Sequence, residues 1–187
     1  MARRSGQLRV VAGDAGGLLL RGPDGDGTRP TSDRVRQAMF NALESAGAVD
    51  GARAVDAYAG TGALGIEALS RGAAGVTFAD TDRAARAVVE ANLRTTGLDG
   101  RAVVVGADGV RVVADGGPWD LVLLDPPYAF ARWDELLTAA AARLADGGVI
   151  VIESDREVAL PAPLGFVRSK RYGSTVVAFA SASGASP

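Results

Sequence analysis

The stretch Trp119-Asp-Leu-Val-Leu-Leu-Asp125-Pro126-Pro127-Tyr128 indicates how this chain folds. Its first half is an almost continuous apolar run, which is typical of a strand buried on both faces in a parallel sheet. Two prolines follow, and neither can donate a backbone hydrogen bond. The strand should therefore end in a stiff segment that presents the Asp125 carboxylate, backbone carbonyls and the Tyr128 ring. These groups suit the amino edge of a nucleobase stacked on the tyrosine, and the alternative is a strand terminator with a surface tyrosine.

The composition indicates one well-buried domain in a chain of 187 residues. A hydrophobic content of 48% and a mean hydropathy of +0.14 exclude a disordered protein. No apolar run reaches the roughly 18 residues that span a bilayer, and the first residues lack the apolar core of a secretory signal. A cytoplasmic protein without a membrane partner is expected. The net charge of −2 argues against a uniformly basic surface, although a local basic patch remains compatible with it.

The absence of both Cys and His limits the possible chemistry. Disulfides, zinc–thiolate sites, Cys nucleophiles and His-based catalysis are all excluded, and no metal is expected. Any general base must therefore be a carboxylate. Lys170 is the only lysine, so the basic residues are nearly all Arg, which pairs with phosphates and stacks on bases better than Lys does.

Strand and helix patterns alternate from Arg53 to residue 153. Strands are predicted at Ala54–Tyr58, Val76–Ala79, Val103–Val105, Leu121–Leu124 and Val149–Ile152, and helices at about 62–71, 82–96, 108–114 and 132–145. This alternation predicts βαβ units and an α/β fold with a doubly wound, mostly parallel sheet. The segments Phe166–Arg171 and Thr175–Ala180 flank a short turn, so they should add an antiparallel C-terminal hairpin and complete seven strands.

The N-terminal region reads as a basic arm followed by a helix. Gln7–Ala12 and Leu18–Arg21 flank a glycine-rich turn and predict a small β-hairpin. Helix-capping residues then precede a helix with apolar residues at i, i+3 and i+4 spacing, and Arg34 and Arg36 flank this stripe. We expect an arm at residues 1–28, a main domain at 29–180 that includes this helix, and a flexible tail at 181–187.

A glycine-rich loop after the first strand predicts a nucleotide cofactor. The chain reads Gly60-Thr61-Gly62-Ala-Leu-Gly65, and such glycines permit a tight turn and close approach of a ligand to the backbone. Asp80 ends the next predicted strand, where an acid can accept ribose hydroxyls. Taken alone, this motif is also compatible with NAD.

Two carboxylates favour S-adenosylmethionine over NAD. Asp56, four residues before Gly60, is badly placed for a pyrophosphate but well placed for an ammonium and a sulfonium; the alternative is a hydrogen-bond acceptor within the loop. Asp108 follows the third strand and can accept from an adenine amino group, although it can equally cap its own helix. Asp82 is expected to be a helix cap.

These motifs together resemble the class I S-adenosylmethionine-dependent methyltransferases. The chain is most similar to the bacterial family that methylates the exocyclic N2 of guanine 966 in 16S ribosomal RNA. The matching segments are Leu8–Ala12, Arg29–Asn41, Asp56–Ala68, Asp125–Tyr128 and Arg171-Tyr172-Gly173. Two departures are Gly16-Gly17-Leu18, where the family is usually more basic, and Asp80, where Glu is common.

The resemblance implies a Rossmann-like, cytoplasmic, monomeric rRNA (guanine-N2-)-methyltransferase that acts on 16S rRNA within a small-subunit assembly particle. The flipped guanine would place its edge on Asp125 and the Pro126 carbonyl and its ring on Tyr128. Asp125 can also accept from guanine N1–H, which adenine lacks. The implied catalytic residues are Asp125, Pro126, Pro127 and Tyr128. The implied cofactor-binding residues are Asp56, Gly60, Thr61, Gly62, Asp80, Asp108 and Arg34. The implied RNA-binding residues are Arg3, Arg4, Arg9, Arg21 and Arg36.

Three other functions stay open at this stage. One is a nucleic-acid-binding module that has lost its activity, although the intact glycine loop and the Asp-Pro-Pro-Tyr motif argue against it. An amino-methyltransferase acting on DNA adenine or cytosine would use the same motifs, but no separate DNA-reading domain is visible. An NAD-dependent oxidoreductase would explain the glycine loop and Asp80, but the chain lacks an obvious acid for a hydride-transfer site.

Overall fold

A seven-stranded sheet forms the centre of the protein in a computed structural model that describes residues 8–22 and 32–182. The strands are β1 (Arg53–Asp56), β2 (Gly75–Ala79), β3 (Ala102–Val105), β4 (Trp119–Leu124), β5 (Leu144–Ser154), β6 (Leu164–Tyr172) and β7 (Thr175–Ala182). The helices are α1 (Asp33–Ser45), α2 (Ala63–Ser70), α3 (Arg83–Thr96), α4 (Gly109–Asp115) and α5 (Trp133–Arg143). In these ranges no helix combines the length and apolar character needed to cross a membrane.

The strand order is β3-β2-β1-β4-β5-β7-β6. Strands β1 to β5 run parallel to one another, whereas β7 is antiparallel to both β5 and β6. The predicted doubly wound sheet with a C-terminal antiparallel hairpin is therefore confirmed. Strand β7 continues to Ala182 and so includes the first two residues of the predicted tail.

The apolar run in β4 is buried on both faces, as its composition predicts. Leu121 and Leu123 belong to one core cluster, and Val122 and Leu124 belong to the other. All four side chains are at most 1% exposed. Since successive side chains of a strand point to opposite faces, this one run supplies apolar residues to both layers of helices.

Helix α1 begins where its capping residues predict. The Ser32 side chain accepts a hydrogen bond from the Val35 N–H, which satisfies one of the unpaired donors of the first turn. Met39, Phe40 and Leu43 are buried and join the larger of the two core clusters. The preceding Arg29-Pro30-Thr31 lies outside the described residues.

The N-terminal segment does not form the regular hairpin that its sequence predicts. Residues 8–22 make a single antiparallel bridge, between Arg9 and Leu19, because the intervening turn packs on the end of α2. Ser70 accepts hydrogen bonds from Asp14 N–H and Ala15 N–H. A Cβ at Gly13 would lie 1.9 Å from the Ser70 carbonyl oxygen, so this approach requires glycine. The segment is part of the main core, since four of its apolar side chains are buried there, namely Leu8, Val10, Ala15 and Leu20.

Candidate active site

The glycine-rich loop connects β1 to α2 at the carboxyl edge of the sheet. Gly60 and Gly62 have φ angles of +53° and +80°, which side chains with a Cβ rarely adopt. A Cβ on Gly65 would lie 2.3 Å from the Phe78 ring, so this glycine lets the helix pack closely on the sheet. The Thr61 carbonyl accepts from the Asn92 side chain, which fixes the loop to α3. The glycines thus have the conformational roles that the motif predicts.

Asp56 lies beneath this loop and is only 1% exposed. Its carboxylate accepts a hydrogen bond from the Gly65 N–H at 3.0 Å. Burial raises the pKa of Asp56 to about 7, the Gly65 hydrogen bond opposes this rise, and the negative charge of Asp80 adds to it. Asp56 therefore serves as the acceptor within the loop that the sequence offered as its alternative role. Because its ionised form is disfavoured, a cation at this position would stabilise it.

Asp80 follows β2 directly and lies against the same loop. One carboxylate oxygen accepts from the Gly60 N–H at 2.9 Å, and the other accepts from the Asp82 N–H at 2.9 Å. Asp82 accepts from the Ala84 N–H and caps α3, as predicted. Asp80 is partly exposed, so the structure places a carboxylate at the mouth of the glycine loop.

Both carboxylate oxygens of Asp108 accept hydrogen bonds within the protein. Its role as an acceptor for the adenine amino group stays a prediction. One oxygen caps α4 by accepting from the Arg111 N–H at 3.3 Å, and the other accepts from Arg132 at 3.0 Å. Arg132 also donates two hydrogen bonds to Glu135. Sequence reasoning missed Arg132, whose ion pair with Asp108 joins the segment before α5 to the loop after β3.

The segment Asp125–Tyr128 leaves the carboxyl end of β4 and enters a tight turn. Pro126 is buried, whereas the Tyr128 side chain is 62% exposed, which leaves its ring available for a planar ligand. The Phe130 N–H donates to the Pro127 carbonyl at 2.8 Å and closes the turn. The Phe130 ring contacts the ring of Tyr58 in an edge-on arrangement with 5.3 Å between centroids. The turn is therefore attached to the glycine loop.

A second arginine that sequence reasoning missed supports the other side of this turn. Arg156 follows β5 and donates to the carbonyl oxygens of Tyr128 at 3.4 Å and Phe130 at 3.1 Å. Asp155 forms an ion pair with the same guanidinium. The sequence carries no local signal for this contact beyond the position of Arg156 after a predicted strand.

The structure corrects the prediction for Arg36. This side chain is completely buried and cannot contact RNA. It donates to Asp33 and to the Arg9 carbonyl, and it lies 3.5 Å from the buried carboxylate of Glu67. A charged group removed from water requires such partners, so Arg36 belongs to the core. Glu67 within the otherwise apolar α2 is the sequence signal that could have revealed a buried ion pair.

The remaining predicted arginines are distributed over the N-terminal segment and α1. Arg9 is exposed and forms an ion pair with Asp33 at 3.1 Å. Arg21 and Arg34 are exposed as well. Arg3 and Arg4 lie outside the described residues. The structure thus brings the glycine loop, Asp56, Asp80 and Asp125–Tyr128 to one edge of the sheet. Among the described residues, the predicted arginines found at the surface are Arg9, Arg21 and Arg34.

Comparisons with known proteins agree with this fold. The model of a family described as "Conserved hypothetical protein 95" matches residues 8–181. The Escherichia coli protein named "Ribosomal RNA small subunit methyltransferase D" is 41% identical over 160 residues, which cover 84% of this chain and 79% of that protein. A solved Escherichia coli structure described as "Putative methyltransferase yhhF" superposes with a TM-score of 0.82 at 36% identity, covering 94% of this chain and 97% of that one.

Proposed function

We propose, from the premise that this chain belongs to the family described as "Conserved hypothetical protein 95", that it methylates the exocyclic N2 of a guanine in 16S rRNA. By family resemblance the base is guanine 966, and the methyl donor is S-adenosylmethionine. One observation carries the proposal: Asp125–Tyr128 follows β4 at the sheet edge that also carries the glycine loop and Asp80, in a chain 41% identical to a protein named as a small-subunit rRNA methyltransferase.

The residues at the glycine loop fit this cofactor. A Cβ on Gly60 would meet nothing within 4 Å, so the loop leaves open space beside Asp80. Asp80 would accept the ribose hydroxyls, and Asp56 would face the positively charged end, which would favour its ionised form. When bound, S-adenosylmethionine supplies an electrophilic methyl group. Gly62, Thr61, Asp108 and Arg34 complete the proposed cofactor contacts.

The chain's own contribution to the reaction is chiefly positioning. The Asp125 carboxylate and the Pro126 carbonyl accept hydrogen bonds from the guanine N2 amino group and orient its lone pair. Asp125 also accepts from N1–H, which selects guanine over adenine. Tyr128 supplies the stacking face, and Pro127 together with the Arg156 hydrogen bonds restrains the backbone that carries this ring.

The proposed substrate is 16S rRNA within a small-subunit assembly particle, modified by a monomer in the cytoplasm. Arg9 and Arg21 would contact phosphates, as would Arg3 and Arg4. Arg36 is excluded from this set by its burial.

The test is methyl transfer to 16S rRNA, both free and in assembled 30S particles, with the modified base mapped. We expect a single N2-methylated guanine, and methyl transfer by an Asp125→Ala variant should be slower by roughly 100-fold or more. Calorimetric titration should show binding of S-adenosylmethionine and none of NAD. Methylation of another base, or of DNA in preference to rRNA, would overturn the proposal.

A further inference from the structure

A groove lies on the face of the sheet formed by β5, β7 and β6, and Arg156 connects it to the Asp125–Tyr128 turn. Its volume is about 210 Å³, and its floor includes Ile152, Val176 and Ala178. Phe166 and Ser169 line one side, and Arg156 lines another. Pockets that enclose a whole small-molecule ligand measure roughly 300–1,000 Å³, so this groove fits a part of a ligand, such as one nucleobase.

A β-bulge in β6 builds the aromatic side of the groove. Phe166 is opposite Ala180 and Ser169 is opposite Ala178, with a shift in register between Phe166 and Arg168. In a regular strand, residues three positions apart point to opposite faces, whereas the extra residue here places Phe166 and Ser169 on the same face. The Phe166 side chain remains 53% exposed, so its ring is available as a stacking surface.

Arg156 lines this groove, and Arg171 lies on the same side of the sheet. Arg156 is half-exposed and also donates to the carbonyl oxygens of Tyr128 and Phe130. The same side chain therefore contacts both the groove and the turn of the proposed target-base site. Arg171 is exposed and is opposite Val176 in the β6–β7 register. Because directly opposed residues share a face, Arg171 lies on the groove's side of the sheet.

We infer that this groove binds the nucleotide next to the target guanine, with its base stacked on Phe166 and its phosphate paired with Arg171. This inference rests on the proposed function and adds a second RNA subsite to it. Single-stranded RNA is held by the same combination of an aromatic platform and arginine. Once the guanine is unstacked onto Tyr128, its neighbour also loses a stacking partner, and Phe166 replaces it.

The acidic residues at the groove restrict which ligands it can bind. Glu157 lines the rim, and Asp155 pairs with Arg156. The groove is therefore not a uniformly basic surface that would attract any polyanion. Its ligand must combine a flat apolar ring with one phosphate, which describes a nucleotide better than an acidic peptide.

The experiment compares Phe166→Leu and Phe166→Trp with the wild-type protein in methyl transfer to rRNA. Leu keeps the apolar volume without a ring, so KM for RNA should rise about 10-fold with little change in kcat, whereas Trp should retain the wild-type KM. Arg171→Ala should lower the salt dependence of RNA binding by somewhat under one unit of slope. Val103→Ala and Arg94→Ala are matched controls, because both side chains are exposed: Val103 lies in β3 at the opposite edge of the sheet, and Arg94 lies on α3.

Photo-crosslinking detects RNA bound at this subsite and does not depend on methyl transfer. RNA carrying 4-thiouridine on either side of the target guanine should crosslink to the peptide Leu164–Tyr172 from one side only. An unchanged KM in Phe166→Leu, or crosslinks confined to other peptides, would overturn the inference while the proposed function stands. A defect that appears only with assembled particles and not with free rRNA would also overturn it, in favour of a protein contact. Failure of the wild-type protein to methylate rRNA would instead refute the proposed function.

Discussion

At the residue scale, the aspartates of the candidate site have different roles because their surroundings differ. Asp56 is buried beneath the glycine loop, while Asp80 is partly exposed and holds two backbone N–H groups. One carboxylate oxygen of Asp108 caps α4, and the other accepts from Arg132. Asp125 is partly buried at the end of β4. The surroundings of Asp125, Asp80 and Asp56 lead to separate predictions about catalysis, cofactor binding and stability.

Asp125 should affect catalysis far more than cofactor binding. Asp125→Ala should bind S-adenosylmethionine normally but lose methyl transfer by roughly 100-fold or more, because the guanine amine is no longer oriented. Asp125→Asn should also remain impaired, since its amide can present an N–H donor to guanine N1–H. Binding is measured by calorimetry and transfer by single-turnover kinetics. Full activity of the Asn variant would show that the charge and the N1–H contact are dispensable.

Asp80 should affect cofactor binding directly. Asp80→Ala should weaken S-adenosylmethionine binding by about 1.5–3 kcal/mol, because a charged acceptor for the ribose hydroxyls is removed. Asp82→Ala is the matched control. It removes the α3 cap, so it should cost about 1 kcal/mol of stability without changing affinity. If Asp82→Ala lost affinity and Asp80→Ala did not, the ribose role would belong to Asp82.

Asp56 should make the stability of the cofactor-free protein depend on pH. Its pKa rises from an ordinary value of 3.8 to about 7. Between these values the folded protein holds a proton that the unfolded chain has released. The stabilising contribution is therefore complete below about pH 4 and is lost as the pH rises through 7. Asp56→Asn cannot ionise, so its melting temperature relative to wild type should be higher at pH 8 than at pH 5.

The cofactor provides the control for this prediction. Its positive charge favours the Asp56 carboxylate, so Asp56→Asn should bind S-adenosylmethionine more weakly at pH 8. Melting curves of the two cofactor-free proteins that shift in parallel between pH 5 and pH 8 would show that Asp56 does not carry the proton.

At the scale of elements, the segment between β4 and α5 is supported from three neighbouring loops. Phe130 contacts Tyr58 of the glycine loop, and Arg132 pairs with Asp108 after β3. Arg156 holds the turn from the loop after β5. The proposed target-base site and the proposed cofactor site are therefore connected through side chains and through the sheet itself.

Arg156 should act as a positioning residue for this turn. Arg156→Ala removes two hydrogen bonds to backbone carbonyls, so Tyr128 should be less well ordered and kcat at saturating RNA should fall about 10-fold. Arg156→Lys should rescue this only in part, because an ammonium lacks the planar fork that reaches both carbonyls. S-adenosylmethionine affinity should not change, and Arg94→Ala serves as the control. A wild-type kcat in Arg156→Ala would show that the turn holds its shape without this side chain.

At the scale of the whole molecule, a buried cluster of charges joins the N-terminal segment, α1 and α2. Glu67 is fully buried and accepts from Arg71, and it also accepts from the N–H groups of Val11 and Ala12. Arg36 lies at the same carboxylate. The N-terminal segment thus completes the hydrogen bonding of a core residue.

Removal of the Glu67 charge should destabilise the fold. Glu67→Gln leaves the buried guanidinium groups of Arg36 and Arg71 without their shared carboxylate, which should cost about 3–5 kcal/mol. Glu90→Gln on the exposed side of α3 is the control and should change little. Urea unfolding measures both variants. A Glu67→Gln protein of wild-type stability would show that the cluster contributes no net free energy.

The same cluster changes the expectation for the N-terminal arm. From sequence, deletion of residues 1–21 should abolish rRNA methylation and spare cofactor binding. The structure predicts a lower melting temperature as well, because the deletion removes buried apolar residues and two donors to Glu67. Arg21→Glu keeps the backbone in place and is therefore the cleaner test of phosphate contact.

The sequence by itself determined the order and type of the elements and the edge at which the site lies. The apolar run of β4, the glycine spacing after β1 and the alternation of strands and helices are local patterns, and local patterns set the periodicity of buried side chains. Asp56, Asp80, Asp108 and Asp125 could be assigned to one edge of the sheet because parallel strands end on the same side.

Only the tertiary structure decided which charged side chains are buried and which loops support one another. Arg36 meets the Arg9 carbonyl across 27 positions, and Arg156 meets the Tyr128 carbonyl across 28. Contacts of this kind depend on how separate elements pack, and the periodicity of a single helix or strand does not predict them. For that reason the sequence placed Arg36 at the surface and left Arg132 and Arg156 without a role, whereas the packed chain buries the first and brings the other two to the site.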